Sequence, residues 1–217
     1  YPTGTWNSIS VSSTGQYQSA LISSGAGNIY TSSDYGVTWI QRTQYTGAWL
    51  SISVSSTGQY QSAVVYSAAG NIYTSSDYGV TWTQRTQYTG YWGSISVSSS
   101  GQYQSTAINS ASGIIYTSSD YGVTWTPRAQ QYTGAWLSIS VSSTGQYQSA
   151  VISGATGNIY TSTDYGVTWM QRTQYTGFWQ SISVSSTGQY QSAAQNYGGS
   201  GAYIYTSSDY GVTWVQR

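Results

Sequence analysis

One string, S-x-D-x-G-x-T-W, recurs five times and limits what this chain can fold into. It first reads Ser32-Ser33-Asp34-Tyr35-Gly36-Val37-Thr38-Trp39, and later copies start at Ser75, Ser118, Ser162 and Ser207, with Thr163 the one departure. Its aspartates, Asp34, Asp77, Asp120, Asp164 and Asp209, are all the acids in the 217 residues. All the basic residues, Arg42, Arg85, Arg128, Arg172 and Arg217, lie eight positions after an aspartate. Aspartate spacings are 43, 43, 44 and 45 residues, the period of a propeller blade or another stacked array.

Within one period the pattern predicts four strands. Trp6–Ser12 alternates Ile9 and Val11 with serines, a period of two. Thr14-Gly15 is a tight turn before a second strand over Gln16–Ile22. Ser23–Gly27 reads as a flexible loop, Asn28–Ser33 as the third strand, Asp34-Tyr35-Gly36 as a turn and Val37–Arg42 as the fourth strand. Thr43–Gly47 then crosses to the next repeat. The density of Gly, Ser and Thr excludes a helix. A lone four-stranded meander leaves both faces in water, so the copies must stack. The expectation is an all-β chain and a single domain over 1–217. It is a five-bladed β-propeller with blades over 1–42, 43–85, 86–128, 129–172 and 173–217. No strand is left over to latch the last blade to the first, so closure would rest on side-chain packing. The rival, an open solenoid, leaves two aromatic-rich end faces in water.

Composition narrows function further. Charged residues are 5% of the chain against about 25% in ordinary globular proteins. Aromatic residues are 16%, enough buried area to oppose disorder. Formal net charge is zero, which leaves no electrostatic case for nucleic acid, and no apolar stretch is long enough for membrane insertion. The chain has no His, Cys, Glu or Lys, so most general bases, metal ligands and activated nucleophiles are missing. No cofactor, metal or enzymatic activity is expected. Because the chain begins at Tyr1 rather than Met, a processed product or an excised segment is expected.

The repeated string closely resembles the Asp-box, or BNR, repeat of sialidases, xyloglucanases, sortilin-type receptor ectodomains and photosystem II assembly-factor-like propellers. The resemblance covers all five copies. It implies a propeller in which the box joins the third and fourth strands of a blade and serves structure rather than catalysis. That role falls on Asp34, Gly36 and Trp39; Asp77, Gly79 and Trp82; Asp120, Gly122 and Trp125; Asp164, Gly166 and Trp169; and Asp209, Gly211 and Trp214. It also leans towards a secreted or extracytoplasmic location. Sialidase-like chemistry needs a glutamate, and xyloglucanase-like chemistry needs acids outside the boxes; both are absent.

Loops alternate between two faces. The Ser-Thr-Gly and Asp-box turns on one face barely vary between copies, whereas the loops after the second strand and the crossovers on the other face do. Residues preceding the first-strand tryptophan are Thr5, Ala48, Tyr91, Ala135 and Phe178. Each arginine is near a crossover tyrosine in sequence: Arg42 and Tyr45, Arg85 and Tyr88, Arg128 and Tyr132, Arg172 and Tyr175, with Arg217 meeting Tyr1 across the seam. Two readings follow. One is a monomeric scaffold that binds protein through the variable face. The other is a multivalent lectin with up to five glycan sites on that face, their candidate residues being these arginines and tyrosines with Tyr91 and Phe178.

Overall fold

Alternating small and apolar residues, punctuated by turn-forming Gly, leave the chain little choice but short antiparallel strands. A computed structural model describes residues 3–196 and 202–217, and among these every regular element is a strand. The third repeat shows the unit plainly: β7 (Trp92–Val97), β8 (Gln104–Ile108), β9 (Ile115–Ser118) and β10 (Thr126–Arg128) form one antiparallel meander. The fourth repeat has β11 (Trp136–Val141) to β14 (Met170–Arg172), and the fifth has β15 (Trp179–Val184) to β18 (Val215–Gln216). The first two repeats share a six-stranded sheet, β1 (Trp6–Val11), β2 (Gln18–Ser32), β3 (Ile40–Val54), β4 (Gln61–Val65), β5 (Ile72–Ser75) and β6 (Thr83–Arg85). Here the sequence expectation needs correction. The Ser23–Gly27 stretch and the crossover are not a loose loop and linker but pair with each other, Ser23 opposite Ala48 and Gly27 opposite Gly47. Later repeats keep the same contacts as isolated bonds, such as Gly90 N–H to the Gly70 carbonyl at 3.0 Å and the Tyr66–Tyr91 bridge.

Successive repeats are fastened in three layers. At the junction of first strands, serine hydroxyls accept from the next repeat's backbone: Ile52 N–H to Ser8, Ile95 N–H to Ser51, Ile139 N–H to Ser94 and Ile182 N–H to Ser138, at 3.2–3.3 Å. A chain of backbone bonds runs alongside, from Ser13 N–H to Ser56 O, Ser56 to Ser99, Ser99 to Ser143 and Ser143 to Ser186. Deeper in, Trp49, Trp92, Trp136 and Trp179 have no exposed surface, and each indole N–H donates to a glycine carbonyl of the preceding repeat. Those glycines leave room for the approach. A Cβ on Gly70 would collide with the Val65 carbonyl.

The ring does not close among the described residues. Ser186 N–H has no bond to Ser13 O, the partner that closure would give it. Trp6 is 45% exposed and Ile9 61%, although their counterparts in the other repeats are buried. At the far edge Tyr190 is 59% exposed and Ile204 57%. The expected meeting of Arg217 with Tyr1 across the seam lies outside the described residues. One six-stranded sheet and three four-stranded sheets follow one another, and two faces are left unmatched among the described residues.

Burial decides which tryptophans matter. Trp92→Ala removes a fully buried ring and an indole hydrogen bond, and should lower unfolding stability by about 3–5 kcal/mol. Trp6→Ala at the exposed edge should cost roughly 1 kcal/mol or less. Urea unfolding followed by circular dichroism measures both; equal losses would mean that Trp6 is buried in solution.

Candidate functional site

The Asp-box turn satisfies its own aspartate. In the second copy, the string lies between Ser75, the last residue of β5, and Thr83, the first of β6. Asp77 accepts the Ser75 hydroxyl at 2.8 Å, the Thr81 N–H at 2.9 Å and the Thr81 hydroxyl at 2.6 Å. Ser75 Oγ accepts in turn from Gly79 N–H, and the Trp82 indole donates to the Gly79 carbonyl. The same bonds recur around Asp34, Asp120, Asp164 and Asp209. Gly36, Gly79, Gly122, Gly166 and Gly211 all have positive φ, and so does the tyrosine before each, with Tyr78 at 64°. Two consecutive left-handed residues give the turn whose twist suits a hairpin. Bulky tyrosine rarely adopts that conformation, and here its ring packs against the preceding repeat, Tyr17 against Tyr78 with centroids 4.4 Å apart. Trp82, Trp125, Trp169 and Trp214 are buried, and Trp39 is half-buried.

Hydrogen bonds set the charge state of these acids. The Thr38 hydroxyl and N–H and the Ser32 hydroxyl lower the Asp34 carboxyl to about 2. At Asp77, Asp120, Asp164 and Asp209 burial pushes upward, but the Thr and Ser donors outweigh it and leave each below the usual value.

The arginines and crossover tyrosines go separate ways. Each arginine folds back along its strand, with Arg42 Nε donating to Thr31 Oγ1 and Arg85 Nε to Thr74 Oγ1, both at 2.9 Å. Arg128, Arg172 and Arg217 repeat the bond with Thr117, Thr161 and Thr206. Burial lowers the affinity of Arg42, Arg85 and Arg172 for their protons, and the aspartate of the following box opposes that. The guanidiniums of Arg42, Arg85 and Arg172 thus lie near the carboxylates of the neighbouring repeat. Tyr45, Tyr88, Tyr132 and Tyr175 pack instead at a tilt of 49–57° against Tyr73, Tyr116, Tyr160 and Tyr205, with centroids 4.6–4.8 Å apart. Tyr91 pairs with Tyr66 at 5.2 Å, and Phe178 is 41% exposed.

A different set converges. The register slips by one residue after every first-strand tryptophan, at Asn7, Leu50, Gly93, Leu137 and Gln180. A β-bulge re-aims the side chain it carries. All five bulge residues line one axial cavity of about 430 Å³, joined by Tyr66 and Asn109 from loops after the second strands. Asn7 Nδ2 spans two bulges, donating to the Leu50 carbonyl at 2.8 Å. The sequence carried a signal for this site. These positions differ among copies within a strand that is otherwise almost constant.

The BNR-Asp box repeat model matches residues 72–85 and 204–216. No curated protein sequence matches the chain. Solved β-propellers do match by shape. A GH74 enzyme from Niastella koreensis superposes with a TM-score of 0.80 at 17% identity, over 98% of this chain and 38% of its own. YCF48 bound to D1 peptide gives 0.64 at 16%, over 99% of this chain and 82% of its own. A protein in a nidogen/laminin complex gives 0.73 at 11%, over 98% and 79%. At these identities the likeness is one of fold, and the chain spans well under half of the GH74 enzyme.

The aspartates fix a pH dependence. Their pKa values are lower folded than unfolded, so their stabilisation is complete above the unfolded value of 3.8 and is lost as pH falls through the folded one. The melting temperature should therefore stay level from neutral pH down to about 4 and drop between there and about 2. Asp77→Asn should melt lower at neutral pH and show a shallower acid slope. Calorimetry across that range checks both.

Proposed function

We propose that this BNR-Asp box repeat chain is a five-bladed, non-enzymatic interaction module that takes an extended segment of a partner protein at its axial cavity. One observation carries the reading: the variable bulge residues of all five repeats, Asn7, Leu50, Gly93, Leu137 and Gln180, face one space while the framework around them hardly changes. Leu50 and Leu137 supply apolar contact, and Asn7, Asn109 and Gln180 supply donors and acceptors for a peptide backbone. No carboxylate lines that cavity, and the boxes commit theirs to the turns, which supports binding over hydrolysis. The fold likeness to YCF48, solved with a bound peptide, and to a propeller in a nidogen/laminin complex, supports a protein partner. The GH74 enzymes show that related architecture also serves catalysis. In this chain the box aspartates are structural, and the module acts as a monomer.

Selection of displayed peptides against the purified chain should enrich a common motif. The double variant Leu50→Arg/Leu137→Arg should weaken the selected peptide roughly tenfold or more while leaving the melting temperature unchanged. Enrichment of no peptide, binding indifferent to both leucines, or release of reducing ends from β-glucans would each overturn the reading.

A further inference from the structure

First strands line the axis, so the fourth strand of each meander lies at the outer edge. There, two cavities at junctions between repeats follow one plan, and a third at the open edge keeps half of it. The first, about 190 Å³, includes Tyr17, Thr31, Arg42 and Tyr78 in its wall. The second, about 260 Å³, includes Tyr60, Thr74, Arg85, Asp120 and Tyr121. The third, about 370 Å³, includes Tyr190, Thr206 and Arg217 at the exposed edge. In the first two, a pair of tyrosines, one from each repeat, packs at 4.4 Å between centroids. The guanidinium is pinned by Nε alone, and among the described residues the Nη atoms of Arg42 and Arg85 make no hydrogen bond and no ion pair.

We propose that these junction cavities are saccharide sites, each taking one neutral sugar ring. The charges decide against an ionic ligand. In the second cavity Arg85 and Asp120 face the same space without pairing, so a positive and a negative group cancel where a ligand would sit. Free Nη donors and the Ser and Thr hydroxyls of the wall match a ring of hydroxyls that both donate and accept, while Asp120 keeps the three bonds of its own turn. The tyrosine pair offers an apolar wall for the C–H face of a sugar. One wall residue differs between cavities, Ile40, Thr83 or Val215, and so distinguishes otherwise equal sites. Weak single sites gain from repetition on one rigid frame, because a branched or polymeric glycan engages several at once.

The chain's five arginines make the test direct, because each contributes one Nε–Hε cross-peak to a nitrogen-correlated NMR spectrum. Single Arg→Lys variants assign the peaks. Methyl glycosides of glucose, galactose, mannose and xylose, titrated separately, should move the Arg42 and Arg85 peaks, move the Arg217 peak less because its cavity has one tyrosine, and leave the bulge amides of Leu50 and Leu137 in place. Tyr121→Leu keeps the guanidinium and removes one wall ring. It should weaken binding at Arg85 roughly tenfold and leave Arg42 and Arg217 unchanged. Static arginine peaks with every glycoside would overturn the proposal. So would peaks that move with sodium sulfate and not with sugars, which marks an anion site, or glycoside shifts confined to the axial bulges.

Discussion

A hydrogen bond between two side chains with no exposed surface governs how these repeats can stack. Ser62 Oγ donates to Gln104 Oε1 at 2.6 Å, and the Gln104 amide nitrogen donates to the Gly101 carbonyl at 2.9 Å. The pairs Ser19–Gln61, Ser105–Gln148 and Ser149–Gln191 repeat it at the other junctions. Each glutamine is buried between sheets, and stranding one polar group there costs about 1–3 kcal/mol. A slip of one repeat against the next would strand both partners. Aromatic burial drives the sheets together, and this polar ladder fixes where they stop.

Much of the architecture is legible in the residues, because periodicity of two and periodicity of 43 are both patterns of spacing. The turn residues mark the meander, and the second copy of the string runs from the end of β5 to the start of β6. The purpose of the first-strand serines is not legible. Their small size suggests close approach, but that Ser51 accepts from Ile95 cannot be read when repeats are nearly identical. In such a chain any contact has an equivalent one period away. The arginines fail for another reason. Strand length places the Cα of Arg42, but a long side chain can return along the strand, as its bond to Thr31 shows. The bulges escape a count of alternating residues because each inserts one residue that the alternation does not register.

Constancy and variation are divided by physical role. Positions that carry hydrogen bonds between repeats (the serines and the buried glutamines), and the box aspartates that hold their own turns, hardly change from copy to copy. Bulge positions vary more, because their side chains are aimed at the axis rather than into the junction, although Asn7 bonds the Leu50 carbonyl and a Cβ on Gly93 would crowd the Trp136 carbonyl. Specificity can therefore be altered without touching the framework. The same division separates the axial cavity from the junction cavities, whose polar set is tied to the framework and varies at the start of the fourth strand.

The two unmatched faces bear on inheritance as much as on stability. One edge exposes the Trp6 and Ile9 half of a junction, and the other exposes the half that Ser181 and Ser183 would supply. Deleting any internal repeat, or duplicating it, joins the same two halves again and creates no new surface. Unequal recombination between near-identical gene segments is therefore structurally silent at the junctions. What it does change is the roster of bulge residues round the axis, so gain or loss of a repeat rewrites the binding surface in a single genetic step.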